Sequence, residues 1–579
     1  MLEGFTPIPP EFAARYRAKG YWLDRPMGQY FRALFDRWNQ RIAVVAREEK
    51  VSYRELGDRI DHLACHLLDL GIAPLDRVVV QLPNRIEFIY LYFALLRIGA
   101  IPLLALPPHR KHEIGHFVEF TAAIGYAAAE RAGDFSYVGM AQEIQKSAPA
   151  LRHLLILGDD LPADCLSLPA LMKTRPKTPA AALAELAIDP DEPAVFQLSG
   201  GTTGIPKIIP RTHNDYILNS VGCSAANDMR EDDCLLVCLP IGHNFPLASP
   251  GLQGMFIRGG RVVLAESPRA SHVFPLIEKE RVTHLELAPA ILIRLLHDPS
   301  RGQYDLSSLR IINTGGQRLQ PETSALAEKL IPSCIVQEVF GMAEGLVTFN
   351  RLDDPPEIRY ETVGPSWCED DEIRILDDEG REVPSGEVGE LAVRGPYTLR
   401  GYFNVPEINA RAFTADGFYL SGDLLRRHPS GGFVVEGRKK DLINRGGEKI
   451  SAEEVENMLL GHPDVRNVAC VPMPDPVLGE RSCAFVIPAA GAHPTLENLA
   501  SYLTGQGLAK FKLPERLEVV ADFPLSPFGK VSKKDLEKRI QELLAAEAAA
   551  KRDAGGSGKG STVGNTPSRN AMERKEKRT

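Results

Sequence analysis

No Cys-x-x-Cys pair occurs in this sequence. Its nine cysteines (Cys65, Cys165, Cys223, Cys234, Cys238, Cys334, Cys368, Cys470 and Cys483) are odd in number and irregularly spaced. A disulfide framework or a cysteine zinc site is therefore not expected; free thiols in a reducing cytoplasm are. Basic residues are in deficit, 67 Lys and Arg against 76 Asp and Glu for a net charge of -9, which argues against a dedicated nucleic-acid binder. There is also no long unbroken apolar run. The most apolar stretch, residues 88–106, is interrupted by Arg97, Gly99 and Pro102, and reads as a buried helix, a turn and a buried strand, not a membrane span. The first residues lack the basic-then-apolar pattern of a signal peptide. No fixed-period repeat is visible.

What is present has globular proportions: 44% hydrophobic and 25% charged over 579 residues, too long for a single core. Helical periodicity at 53–70 (capped by Ser52) and 85–98 alternates with β-rich runs at 77–81, 154–157, 234–240, 261–264 and 310–314. That alternation predicts an α/β architecture with largely parallel sheets. Glycine-punctuated short strands between about 380 and 450 suggest a small β-rich module. Ser451-Ala-Glu-Glu454 has capping-box spacing and opens a helix. Strands at 465–471 and 482–487 and a helix at 496–505 then complete a separate C-terminal unit. The polar junction at 438–441 is the hinge candidate between 1–437 and 442–544. Residues 545–579 carry eight Lys/Arg and four Asp/Glu with little apolar content, and read as a disordered, linker-like tail.

The strongest local signal is Leu198-Ser-Gly-Gly-Thr-Thr-Gly-Ile-Pro-Lys207. Glycines admit an anion close to backbone N–H groups, hydroxyls add donors and the lysine adds a charge. Pro206 and Ile208 around the lysine break the Walker A spacing, which argues against a P-loop switch or kinase. The string resembles the phosphate-binding loop of the adenylate-forming superfamily of acyl- and aryl-CoA synthetases, nonribosomal-peptide adenylation domains and luciferases. Four further motifs follow in that family's order: Phe340-Gly-Met-Ala-Glu344, Tyr419-Leu-Ser-Gly-Asp423, Gly437-Arg-Lys-Lys-Asp441 leading to Gly447, and Pro524-Leu-Ser-Pro-Phe-Gly-Lys530. The likeness spans residues 5–543. It implies a mixed α/β fold: a large N-terminal domain of two mixed sheets plus a small β-barrel-like module, a hinge, and a small mobile α/β domain.

It also implies roles. In the family, a carboxylate attacks the α-phosphate of ATP and expels pyrophosphate, so the site must neutralise charge. The loop residues Ser199, Gly200, Thr202, Thr203, Gly204 and Lys207 would hold phosphates. Glu344 would bind Mg²⁺. Asp423 and Arg438 would hold the ribose, and Gly315, Gly316, Gln317 and Phe340 the adenine. Lys530 would bridge substrate carboxylate and α-phosphate, as the catalytic lysine. Lys440 marks the pivot about which the small domain turns between half-reactions.

Pro240-Ile-Gly-His-Asn-Phe-Pro-Leu-Ala-Ser-Pro-Gly251 resembles the branch that activates aryl acids for siderophore synthesis. Residues 105–114, 344–354 and Phe5 to Trp22 carry further marks of that branch. The likeness implies 2,3-dihydroxybenzoate as the acid, with salicylate-AMP ligase or aryl-CoA ligase as alternatives. His243 would gate the ring, with Asn244, Ser249, Gly316 and Val347 lining it. Asn244 could bond the 2-hydroxyl and carboxylate, and Ser249 a 3-hydroxyl. The acceptor would be the phosphopantetheine thiol of a separate aryl carrier protein. A soluble monomer or homodimer, with no membrane or nucleic-acid partner, is expected.

Overall fold

The computed structural model describes residues 1–132, 134–199, 206–445, 448–526 and 529–556. Two large mixed sheets dominate. In one, eight strands run in the order Val347–Phe349, Ile335–Gly341, Ile311–Gly315, His284–Leu287, Cys234–Val237, Arg261–Leu264, Ile42–Ala46 and Glu49–Ser52. Its centre is parallel, and antiparallel pairs close both edges. The other holds seven strands: Ile208–Thr212, Pro193–Leu198, Ile101–Leu104, Arg77–Gln81, Gly125–Ala129, His153–Leu157 and Cys165–Ser167. Only the pair flanking the glycine-rich loop, Pro193–Leu198 with Ile208–Thr212, is antiparallel there.

Helices fill the space between these sheets. Ile86–Ile98 buries eleven of its thirteen residues, as expected of a helix apolar on every side. Helix Tyr53–Asp69 starts where the sequence places it. Ser52 accepts from Glu55 N and Glu55 returns the bond to Ser52 N at 2.9 Å, a complete capping box. The core holding these helices includes residues from both sheets, among them Val44, Val80, Leu235 and Val262. The aromatic pair Tyr16 and Trp22, ring centroids 5.5 Å apart, is buried, and Trp22 Nε1 donates to Pro396 O, tying the N-terminal segment to the small β-module.

That module is a four-stranded antiparallel sheet: Glu372–Leu376, Gly389–Arg394, Tyr419–Arg427 and Phe433–Arg438. A single turn, Lys439–Asp441, then leads into a five-stranded sheet made wholly from Leu442–Val519 segments. Helices Ala452–Leu460 and Leu496–Gly505 pack on it. Ser451 caps the first through Glu454 N, and its hydroxyl also donates to Glu436 O across the junction.

Two expectations are corrected. The strand expected over 234–240 stops at Val237, because the Asn84 amide takes up the next backbone groups: it donates to Leu239 O and Ala265 O, and its Oδ1 accepts from Ile241 N. The tail expected to be disordered from residue 545 is helical as far as Gly556, in one helix from Lys533. Alanine, glutamate and lysine are strong helix formers, and Glu547 is held by Arg516 at 2.6 Å. Residues 557–579 lie outside the described residues. No described helix is long and apolar enough to cross a membrane.

Candidate functional site

The antiparallel pair Pro193–Leu198 and Ile208–Thr212 presents the glycine-rich loop at one end of the seven-stranded sheet. Ser199 closes its neck: Ser199 N donates to Lys207 O, and the Ser199 hydroxyl accepts from Lys207 N, both at 2.9 Å. Gly200, Thr202, Thr203 and Gly204 lie outside the described residues. Lys207 sits over the ring of Tyr402, Nζ 4.0 Å from its centroid, and burial pulls its pKa below that of a free lysine.

Tyr402 organises this end of the site. Its hydroxyl donates to Glu344 Oε1 at 2.8 Å and lies 2.8 Å from the Tyr419 hydroxyl. Burial, then the Glu344 charge, pushes the phenol far up, so it stays protonated. Glu344 is 8% exposed, and its carbonyl accepts from Leu399 N. Beneath it, Arg211 is fully buried. It donates to Asp215 Oδ1 at 2.8 Å, to Ala343 O at 2.9 Å and to Tyr397 O at 3.2 Å, joining the loop's strand to the backbone beside Glu344.

Asp423 and Arg438 face each other across two strands of the small module, with Arg438 Nε donating to Asp423 Oδ1 at 2.7 Å. Burial raises the Asp423 carboxyl while the Arg438 charge opposes that shift; Asp423, first, raises Arg438. Gly315 ends a central strand and Gly316 follows at φ +90°. A Cβ on Gly315 would stand 2.9 Å from Val339 O, so bare backbone is required there. Gln317 reaches the small domain, where its Oε1 accepts from Val531 N at 3.4 Å. Phe340 is half-buried beside Met342 and Ala343 against the small module's core.

Lys530 arrives from the C-terminal domain in the tight turn that Ser526 closes, its N donating to Ser526 Oγ at 3.1 Å. Gly529 packs on Ile291 of the large domain. Burial first, then the Lys530 charge, depresses His243. Arg294 and Asp522 add an ion pair at 2.7 Å across the same interface. Lys440 lies within the turn Lys439–Asp441, and its neighbour Lys439 pairs with Asp378 and Glu390.

The other end of the candidate site begins at His243, which caps the short helix Asn244–Ala248 by accepting from Phe245 N. Burial, then Lys530, holds its imidazole neutral. Asn244 Oδ1 accepts from Tyr216 at 2.7 Å, which uses one of its two acceptor positions. Its Nδ2 donates to Ser249 Oγ at 3.2 Å. Val347 is buried, and its N donates to Tyr397 at 3.4 Å. Trp367 stacks on Tyr397 at 4.8 Å and occupies space above Gly222, where a Cβ would meet the indole at 2.2 Å.

Sequence reasoning missed Arg211, Tyr402, Tyr216, Asn219, Trp367 and Glu286. None sits in a motif with a chemical signature; each acquires its role from partners distant in the chain. Glu286 accepts from Gly251 N at 2.8 Å under the acid loop, and burial pushes its carboxyl up to about 8. An acid raised on folding holds its proton longer folded than unfolded, so its contribution to stability falls as pH rises from its unfolded value of about 4.3 to its folded value, by about 1.4 kcal/mol per pH unit. Glu286→Gln keeps an acceptor for Gly251 and cannot ionise. Its stability relative to wild type is expected to climb between pH 5 and 8 and then level off in urea titrations; a flat difference would mean that Glu286 is already ionised at pH 5.

A family model for AMP-binding enzymes matches residues 31–403, and a model for the AMP-binding enzyme C-terminal domain matches residues 454–530. The chain is 46% identical to a Streptomyces salicylyl-CoA synthase / salicylate adenylyltransferase, over 94% of this chain and 98% of that protein. It is 45% identical to a Bacillus subtilis 2,3-dihydroxybenzoate-AMP ligase, over 94% of this chain and 99% of that protein. Among solved structures it is similar to apo MbtA of Mycobacterium smegmatis, with TM-score 0.71 and 40% identity over 92% of this chain and 98% of that one.

Proposed function

For this chain, which belongs to the family of AMP-binding enzymes, we propose the joining of an aryl acid to the AMP moiety of ATP, with release of pyrophosphate, followed by transfer of the aryl group to a carrier-protein thiol in siderophore synthesis. The acid is a 2-hydroxybenzoate, with 2,3-dihydroxybenzoate preferred. The observation that carries this reading is Lys530. It lies in a turn of the small domain set against the large one, where Val531 N donates to Gln317 Oε1 at 3.4 Å and Gly529 lies on Ile291, the place from which an ammonium would reach a carboxylate and an α-phosphate.

The other groups fit that chemistry. Asp423 and Arg438 suit a diol. Glu344 offers the single carboxylate with which Mg²⁺ is commonly held alongside phosphate oxygens and water; the metal would neutralise charge on the departing pyrophosphate. Lys207 and the loop residues would hold the β- and γ-phosphates. The neutral His243 borders the ring without adding charge. Asn244, with one N–H and one acceptor position left over, would bond the 2-hydroxyl and the carboxylate. The relatives named as a 2,3-dihydroxybenzoate-AMP ligase and as a salicyl-AMP ligase / salicyl-S-ArCP synthetase, the latter 43% identical, support both the acid class and the carrier acceptor. Lys440 would be the pivot between the two half-reactions.

ATP–pyrophosphate exchange across a panel of aryl acids tests the reading. Salicylate and 2,3-dihydroxybenzoate are expected to support exchange and benzoate to support much less. With wild type, the dihydroxy acid should lead salicylate about ten-fold in kcat/KM, the size of one net hydrogen bond. Ser249→Cys should shrink that lead, because a thiol is the weaker partner. Equal loss of both acids in Ser249→Cys would remove Ser249 from the specificity argument.

A further inference from the structure

Ser249 does not act alone. Its Oγ accepts two N–H bonds, from Asn219 Nδ2 at 3.1 Å and from Asn244 Nδ2 at 3.2 Å. The orientation of both amides is set from outside the pair. Asn219 Nδ2 also donates to Ala248 O at 2.7 Å, which only a nitrogen can do. Tyr216 accepts from Gln197 Nε2 at 2.9 Å and therefore donates to Asn244 Oδ1, leaving Nδ2 for Ser249. A serine hydroxyl has two acceptor positions and one proton. With both acceptor positions filled, Ser249 is left as a donor, and its proton's protein partner is the weakly accepting Cys223 thiol.

Asn219 itself is fully buried, and its Oδ1 has no hydrogen-bond partner among the described residues. A buried unsatisfied acceptor is costly. This one sits on the same amide that holds Ser249, so a donor and an acceptor stand side by side next to Asn244. A hydroxyl is the small ring substituent that answers both, accepting from Ser249 and donating to Asn219. A ring hydrogen answers neither, and an ether or halogen can answer Ser249 alone.

We propose that Asn219 is a specificity-determining positioning residue: it fixes Ser249 as a donor and supplies the complementary acceptor, so that the site selects a 2-hydroxybenzoate carrying a second hydroxyl beside the first. This rests on the aryl-acid reading above. It adds a residue no motif marks, and assigns each bond a direction.

The test is a double-mutant cycle on the acid preference. Exchange kcat/KM is measured for 2,3-dihydroxybenzoate and salicylate with wild type, Asn219→Ala, Ser249→Ala and the double variant, each with its melting temperature. Asn219→Ala is expected to lower the dihydroxybenzoate-to-salicylate ratio from about ten-fold to below about two-fold, and to lower it by a smaller factor once Ser249 is already alanine, where only the direct acceptor remains to be lost. Where Asn219→Ala folds poorly, Asn219→Ser, whose one hydroxyl can serve Ala248 O but not Ser249 as well, takes its place with the same expected ratio. A ratio that stays near ten-fold in the Asn219 variants, or one lowered equally in both Ser249 backgrounds, overturns the proposal and leaves Asn219 a prop for the Ala248 backbone. Failure of wild type to exchange with either acid instead sinks the aryl-acid reading, and this inference with it.

Discussion

Lys530→Ala is expected to reduce aryl-acid-dependent ATP–pyrophosphate exchange about 10²–10³-fold, the usual effect of removing one group that stabilises developing charge, while transfer from a supplied aryl-adenylate to the carrier thiol survives. The motive is geometric. Lys530 lies in a turn of the small domain, held against the large one by Gly529 on Ile291, Gln317 on Val531 N and the Arg294–Asp522 pair. In that arrangement its charge helps to depress His243, after burial. If the small domain turns at Lys439–Asp441, the lysine leaves, and the second half-reaction proceeds without it. Separate assays of exchange and transfer decide the matter: equal losses in both would show one fixed arrangement serving both steps. The melting temperature should barely move, because Lys530 is half-exposed.

The largest expected stability effect belongs to a residue outside every motif. Arg211→Met leaves Asp215 buried without its cation and Ala343 O and Tyr397 O without their donor. Breaking a buried ion pair from one side costs about 3–5 kcal/mol. The first unfolding transition in urea should shift by that amount. Adding Asp215→Leu should recover part of it, because the uncompensated charge goes too. A loss below about 1 kcal/mol for Arg211→Met would mean that water reaches Asp215 and the pair is not sealed.

Much of the architecture was legible because local rules and tertiary context agree. The Ser52–Glu55 box, the strands Arg77–Gln81 and Arg261–Leu264 and the helix Leu496–Gly505 lie where periodicity and capping put them. The candidate site could be proposed from sequence where chemistry is concentrated in a few neighbouring residues, as from Ser199 to Lys207 or around Lys530. It was not legible where one side chain serves distant backbone. Asn84 ends a strand 153 residues away, and Tyr402 joins Glu344 and Tyr419 with no signal in its own neighbourhood. Asn244 could be singled out from the sequence, but its hydrogen bond from Tyr216 could not be read from composition and spacing. The tail failed for another reason: low apolar content argues against a core, but says little about a helix that continues from one already docked.

The reach of Arg211 also sets an order in time. Its partner Tyr397 lies 186 residues further along the chain. At a synthesis rate of roughly 5–20 residues per second, the strand beside the glycine-rich loop must wait about 10–40 seconds before the carbonyl that helps bury its guanidinium exists. Throughout that interval the loop's sequence is complete but the Arg211 guanidinium lacks its Tyr397 partner. The nascent chain therefore carries the recognisable sequence of a nucleotide site well before it can carry the site.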